Sequence, residues 1–412
     1  MNRDTQRSML SEQSGEEGIR PFDPNGRIAT FQRRLVALGI DVAFLSYSKS
    51  TFYYAGTVQP SIFLVTPKEY HLIVFQGIEF TYRESWIEGG RISTGYGLAS
   101  VKEILKRWSI DEGTLGIEAD IVTAHTYLKL LQVFERFNIV DISKLVLEQR
   151  AIKDQREIAC MKRACDIVHE GHRRILHVLK EGMTELELSA EIEDAHRRAG
   201  HEGQYFIRQS DFFMGRGPLA SGENLSKISG KVQSITGVGL SASLPLGASR
   251  KHIERGEMIV VDIPTYCEGY HSDQSRTYVV GNASENCKNL YAGLKDIADG
   301  IISELKPMVR IKEIYEMAFQ FAADINMAQY FMKLGSESRK LNFIGHGVGL
   351  ELNEPPILSA NNDNYVKEGN VIALELLMWK SPAEVVKLED TVLLTSQGAQ
   401  ILTHTPRNLH KV

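Results

Sequence analysis

Two carboxylates stand inside apolar runs. Asp262 falls in IVVDIP and Glu375 in VIALELLMW, stretches that otherwise read as buried β-strands. A carboxylate taken out of water without a partner costs on the order of several kcal/mol, or takes up a proton. Any fold built from these strands therefore has to bring a cation to both positions. Asp273 lies eleven residues after Asp262, on the returning arm of a hairpin through EMIVVDIP and GYHSDQSRTYVV. Glu389 lies fourteen residues after Glu375, in EVVKLEDTVLLT, the strand after GNVIALELLMW. Each hairpin thus offers two carboxylates able to meet across its strands. Taken singly, each acid is explained by a buried salt bridge or a strand-end charge. Converging as a set of four, they would repel one another without a metal.

His346 lies in NFIGHGVGLELNEPP, flanked by Gly345, Gly347 and Gly349. The glycines let the backbone approach a neighbour closely and leave the imidazole little steric cover. One histidine with four carboxylates is oxygen-rich and nitrogen-poor. That set suits a pair of Mn, Fe, Co or Zn ions better than a structural zinc. A two-metal centre can polarise a carbonyl and activate water.

The remaining text bounds the setting of such a site. A chain of 412 residues predicts two domains, and 43% hydrophobic content is too apolar for general disorder. A net charge of −5 gives no basic excess for nucleic acid, and neither G-x-G-x-x-G nor a Walker sequence occurs. The start, MNRDTQRSMLSEQSGEEGIRPFDPNG, has no apolar core of a signal peptide, and no apolar run is long enough to span a membrane. Four cysteines without C-x-x-C spacing predict neither a zinc ribbon nor a disulfide scaffold, so the cytoplasm is expected.

A loose arm is expected over residues 1–25 and an α/β domain over 26–150. Its helix IATFQRRLVALGI precedes the short strands DVAFLSY, SIFLVTP and YHLIVF. The charged stretch VLEQRAIKDQREI marks a boundary, and 151–412 reads as α+β. A long helix runs to Gly182, and Thr184 with Glu187 forms a capping box for the next one. A helical block over about Asn289–Leu334 separates the two strand pairs. This order suggests two similar halves around one site.

VVDIPTYCEGYHSDQSRTYVVG, IGHGVGLELNEPP, IALEL and KLEDTVLLT together resemble the motifs of the pita-bread metallopeptidases, in order and spacing, over roughly residues 150–405. GIDVAFLSYSKSTFYYAG and the LEQRAIKDQREI junction resemble the creatinase-type N-terminal domain. The resemblance thus points to the Xaa-Pro dipeptidase, aminopeptidase P and creatinase branch. It implies a pita-bread catalytic domain behind a smaller creatinase-type α/β domain, and a homodimer. It implies two divalent ions (Mn, Co, Zn or Fe) held by Asp262, Asp273, His346, Glu375 and Glu389, with Asp273 and Glu389 bridging. Glu375 would also accept the proton of a metal-bridging water, whose hydroxide attacks a small peptide or amide.

Two positions differ from the family pattern. Asn353 stands seven residues after His346, and Leu246 in SASLPLG stands where a second family histidine is expected. Asn353 can donate a hydrogen bond to a substrate carbonyl, and Leu246 cannot. His201, Tyr205, Arg208, His252 and His271 are the polar residues that could replace them. The long segment from Gln204 to Leu240 could line a remodelled pocket. Arg276 is expected to pair with the acids beside the metals. The absent histidines also motivate another chemistry on this fold, a creatinase-like C–N hydrolase or a dimethylsulfoniopropionate-lyase-like enzyme. A non-catalytic binding module is the third reading, and the complete ligand set argues against it.

Overall fold

The computed structural model describes residues 19–209, 214, 216–230, 234–335 and 339–412. Most of the arm expected over 1–25 lies outside these residues, and the first helix already begins at Pro24. The described residues divide into two compact units, Phe22–Arg150 and Ala151–Val412, the latter together with residues 19–21.

In the first unit, helix α1 (Pro24–Leu38) starts on a proline and ends at Gly39, whose φ of 65° is the left-handed stop that glycine tolerates. Then follow β1 (Val42–Leu45), α2 (Ser48–Ala55), β2 (Ser61–Val65), β3 (Tyr70–Val74), α3 (Ile78–Glu84), β4 (Ile92–Thr94), α4 (Gly97–Arg107), β5 (Gly113–Ile117), α5 (Ala124–Val133), β6 (Phe137–Asp141) and α6 (Ser143–Arg150). The strands form one sheet in the order β4-β3-β2-β1-β5-β6. Leu64, Ile73, Leu115 and Ile117 pack from it against Val101 and Ile104 of α4 and Leu130 of α5. Helix α2 was not expected from SKSTFYYA, where serine, threonine and aromatics favour other conformations. It is held by tertiary packing that buries Tyr53 and Tyr54.

The second unit opens with α7 (Gln155–Val178) and α8 (Glu185–Arg198). Asp154 with Glu157 caps the first, and Thr184 with Glu187 caps the second as expected. Strands β7 (Leu219–Ser221), β8 (Met258–Val261), β9 (Thr265–Cys267), β10 (Tyr270–Ser272) and β11 (Arg276–Val279) follow. The helices α9 (Glu285–Glu304) and α10 (Ile311–Asp324) replace the single helical block expected to Leu334. Leu334 itself lies in a short ladder of β12 (Lys333–Leu334) with β13 (Arg339–Lys340). Last come β14 (Phe343–Gly347), β15 (Glu354–Ser359), β16 (Val371–Ser381), β17 (Glu384–Thr395), β18 (Gly398–Ile401) and β19 (His410–Lys411). A helix pair followed by strands thus occurs twice.

Two sheets result, β19-β11-β8-β7 and β15-β14-β16-β17-β18. They are stitched where Ser275 and Glu389 exchange backbone hydrogen bonds of 3.3 and 3.1 Å. The first expected hairpin is not continuous. β8 pairs with β11, but β9 and β10 leave to form a ladder of their own. Pro264 cannot donate to a ladder, and Asp262 and Asp273 sit in the two interruptions rather than within strands. None of the described helices is long and apolar enough to cross a membrane.

One buried carboxylate pins a loop at both ends. Glu185, in the first turn of α8, accepts from the N–H and hydroxyl of Ser221, from the Asn224 amide, and from the N–H and hydroxyl of Ser249. The ends of the segment between Ser221 and Ser249 are therefore fastened to the same side chain.

Candidate metal centre

The acids reach one cavity because of strand pairing and pleat. Glu375 of β16 lies directly opposite Glu389 of β17. On β17 side chains alternate, so Lys387, Glu389 and Thr391 share one face while Asp390 takes the other. Thr391 receives the N–H of Asp273 at 3.0 Å and donates to its carbonyl at 2.8 Å, which fixes that interruption against β17. Asp262 is fixed by its N–H donating to the Pro218 carbonyl at 2.9 Å. His346 comes in on β14, paired to Ala373 of β16.

The glycines beside His346 explain how closely these strands pack. A Cβ on Gly345 would stand 2.4 Å from the Ala373 carbonyl, and one on Gly347 would stand 2.3 Å from the Pro355 carbonyl. The imidazole itself is buried, contrary to the open position expected from its neighbours. Its Nδ1 donates to the Gly347 carbonyl at 3.1 Å, which leaves Nε2 with a lone pair facing Asp273 Oδ2 at 3.7 Å.

Ligand atoms of Asp273, His346 and Glu389 converge within 4.8 Å, and so do those of Asp262, Glu375 and Glu389. Glu389 belongs to both sets, and its Oε2 has no well-aligned hydrogen bond. Together these residues line a cavity of ≈ 320 Å³ with Asn353, Ser234, Gln209 and Lys387. The apolar part of the wall includes Ile207, Met214, Phe343, Leu352 and Ile357.

Electrostatics follow from burial and crowding. Burial raises Asp273 well above the ordinary carboxylate range, and the charge of Asp262 adds to it. Glu389 is pushed up well above its ordinary value by burial and then by Asp273. Asp262 is also raised by burial, against the pull of Lys387. Burial works to raise Glu375 too, but the charges of Lys387 and His346 and the hydrogen bonds from Lys387 and Ser234 together outweigh it and hold Glu375 below its usual value. Burial lowers His346, so its imidazole is neutral at neutral pH. An imidazole lone pair facing a carboxylate and three acids on one cavity wall are what a divalent cation satisfies. The donor set fits such an ion.

Lys387 and Ser234 were not expected here. The ammonium lies 2.5 Å from Asp262 Oδ2, 2.6 Å from Glu375 Oε1 and 3.1 Å from Glu389 Oε2. Ser234 donates to Glu375 Oε1. The period-two face shared with Glu389 could have revealed Lys387. Nothing local marks Ser234, which meets its partner from 141 residues away.

The residues considered as replacements for the family histidines lie elsewhere. Leu246 does not line the cavity. His201 accepts the Tyr266 N–H at 2.9 Å, and Tyr205 donates to the Pro264 carbonyl at 2.8 Å. His271 donates to the Gly349 carbonyl at 2.9 Å and accepts from the Phe206 N–H at 3.2 Å. His252 donates to the Gly182 carbonyl at 2.8 Å, and Arg208 lies 4.0 Å from Glu351. Arg276 has the supporting place expected of it. It donates to Asp390 at 2.6 Å and to the Glu389 carbonyl at 2.6 Å. The segment expected to remodel the pocket contributes Ile207, Gln209, Met214, Pro218 and Ser234.

Residues 159–396 match the metallopeptidase family M24, and residues 27–152 match the Creatinase/Prolidase N-terminal domain. An Xaa-Pro dipeptidase of Pyrococcus furiosus is 28% identical over 382 residues, 90% of this chain and 95% of its own length. The prolidase of Pyrococcus horikoshii superposes with a TM-score of 0.75 at 25% identity, covering 93% of this chain and 100% of the other. An Xaa-Pro dipeptidase from Bacillus anthracis shares the fold with a TM-score of 0.79 at 24% identity, over 95% and 100% of the two chains.

Proposed function

Because the chain belongs to metallopeptidase family M24 and carries a Creatinase/Prolidase N-terminal domain, we propose that this metal-dependent peptidase cleaves Xaa-Pro dipeptides or short Xaa-Pro peptides at the Asp262–Glu389 cavity. The fold is the one the resemblance implied, a pita-bread unit following a creatinase-type α/β unit. The observation that carries the reading is the convergence of Asp262, Asp273, His346, Glu375 and Glu389 in two ligand sets sharing Glu389.

Asp262, Glu375 and Glu389 would hold one divalent ion and Asp273, His346 and Glu389 the other. Mn, Fe, Co and Zn all suit these donors. Such ions supply polarisation of the scissile carbonyl and a nucleophilic water at neutral pH. Glu375, held ionised by Lys387 and oriented by Ser234, would accept the proton of the attacking water and pass it to the leaving nitrogen. Asn353, on the cavity wall, would donate its amide to the substrate carbonyl in the place of a family histidine. Ile207, Met214, Phe343, Leu352 and Ile357 offer an apolar wall suited to a pyrrolidine ring.

The four free cysteines support a reducing compartment, the cytoplasm. A homodimer is the assembly proposed from the family resemblance.

The test is hydrolysis of Xaa-Pro dipeptides and longer Xaa-Pro peptides by protein reconstituted separately with Mn, Co, Zn and Fe. Turnover above an Asp273→Ala control is expected. Silence from fully metallated protein would reject the Xaa-Pro substrate while leaving the metal site standing.

A further inference from the structure

His271 stands behind the cavity rather than in its lining, and it holds part of the wall. The residue is fully buried. Its Nδ1 meets the Gly349 carbonyl at 2.9 Å and its Nε2 meets the Phe206 N–H at 3.2 Å. A carbonyl only accepts and an N–H only donates, so these two partners fix the neutral imidazole with its proton on Nδ1. The backbone N–H of His271 donates to the same Gly349 carbonyl at 2.9 Å. One side chain thus joins two segments that lie far apart in the chain.

Those segments make one continuous wall. The Leu352 N–H donates to the Phe206 carbonyl at 2.7 Å, so Phe206 is tied through both of its backbone polar groups. Ile207 and Gln209 on one segment and Leu352 on the other line the cavity. The ring of Tyr266 packs on the imidazole with centroids 4.6 Å apart. The reacting groups have anchors of their own. Thr391 holds both the N–H and the carbonyl of Asp273, and Lys153 pairs with Glu354 beside Asn353. The imidazole of His271 therefore bears on the strap 205–209 more than on the ligand acids or the carbonyl donor.

We propose that His271 is a positioning residue for substrate: by tying Phe206 to Gly349 it fixes the strap 205–209 against the loop 349–353 and so sets the apolar wall on which the substrate is seated. This rests on the peptidase reading and deepens it. Histidine suits the place because one flat ring carries a donor and an acceptor on different edges. Glutamine keeps an acceptor long enough to reach Phe206, whereas asparagine is one bond shorter and loses it.

The experiment is steady-state cleavage of Xaa-Pro peptides by the Mn²⁺-loaded full chain, with bound-metal analysis and amide hydrogen exchange on the same preparations. Loss of one buried hydrogen bond acts on a scale of roughly 3- to 10-fold. His271→Asn is expected to raise KM by that factor with kcat little changed and bound Mn²⁺ unchanged. Exchange should quicken over 204–209 while β16 and β17 exchange as in the wild type. His271→Gln is expected to restore the wild-type KM. An unchanged KM in His271→Asn overturns the proposal. So does exchange that quickens throughout the unit together with loss of metal, which is what a merely structural histidine would give. Should His271→Asn fail to fold, Tyr205→Phe frees the same strap from the Pro264 carbonyl. It is expected to raise KM with kcat kept, and an unchanged KM there overturns the proposal. A metallated wild type that cleaves no Xaa-Pro peptide rejects the substrate reading, and exchange then decides the tie. Quicker exchange confined to 204–209 in His271→Asn upholds it, and unaltered exchange there overturns it.

Discussion

Lys153 Nζ lies 2.7 Å from Glu354 Oε1, and the two side chains are 1% and 2% exposed. Glu354 is the residue after Asn353, so this pair fixes the backbone that carries the proposed carbonyl donor. Lys153→Met takes a buried carboxylate's lysine away, at a cost of about 3 kcal/mol. Urea denaturation should show the unfolding free energy falling by that amount. A shift below ~0.5 kcal/mol, the range of ordinary surface substitutions, would mean the pair is not structural.

Glu389 is the one carboxylate shared by both ligand sets. Glu389→Gln keeps its shape and removes its charge. Wild-type protein should gain about 2.7 kcal/mol of stability at a metal concentration a hundred times the dissociation constant. In the variant this metal-linked rise in melting temperature should vanish, as differential scanning calorimetry with and without Mn²⁺ would show.

Gly347 packs against the Pro355 carbonyl with no room for a methyl group. Gly347→Ala must push β14 from β15 and carry His346 with it. The expected cost is about 1–3 kcal/mol, together with weaker metal binding. Gly39→Ala is the control, because nothing lies within 4 Å of a Cβ there. It strains only a left-handed residue far along the chain.

Ser234 donates to Glu375 from the segment that lines the pocket. Ser234→Ala removes a hydrogen bond to a charged group, on the order of 1.5–3 kcal/mol. If Glu375 handles the proton, kcat should fall by roughly 10- to 100-fold with little change in KM. A rise in KM alone would place Ser234 in substrate binding instead.

His410 stacks with Tyr278, His172 hydrogen-bonds the Tyr278 hydroxyl, and burial lowers the two imidazoles to about 4 and about 3 from the usual 6.5. The unfolded chain takes up protons below 6.5 that the native imidazoles refuse. Stability from this pair is therefore complete above pH 6.5 and is lost as pH falls toward 4. A His172→Gln, His410→Gln variant should show a shallower loss between those limits in denaturation measured at several pH values. An unchanged slope would assign the acid sensitivity to other groups.

The ligand acids were legible because a charge inside an apolar strand is conspicuous, and hairpin spacing told which acids would meet. Geometry beyond that was partly hidden. Asp262 and Asp273 read as facing residues of one hairpin, whereas Pro264 breaks the ladder and turns both into strand-end positions. Lys387 stood in the same KLEDTVLLT stretch as Glu389 and passed unnoticed. A strand lysine ordinarily points to water, and only the three acids around it reverse that. Leu246 was placed by motif likeness, but it lies away from the cavity. The helix over Ser48–Ala55 was invisible because its residues favour helix only weakly and packing supplies the difference.

Glu185 holds Ser221 and Ser249 to one carboxylate, so the segment between them, which brings Ser234 to the cavity, is a cassette with both ends clipped. Lengthening such a loop costs only about 0.6 kcal/mol for each doubling. Selection, or a designer grafting a foreign sequence between the clips, can rewrite what meets Glu375 from that side while the acids on β16 and β17 keep their register. Divergence in substrate choice is thereby uncoupled from the risk of losing the fold.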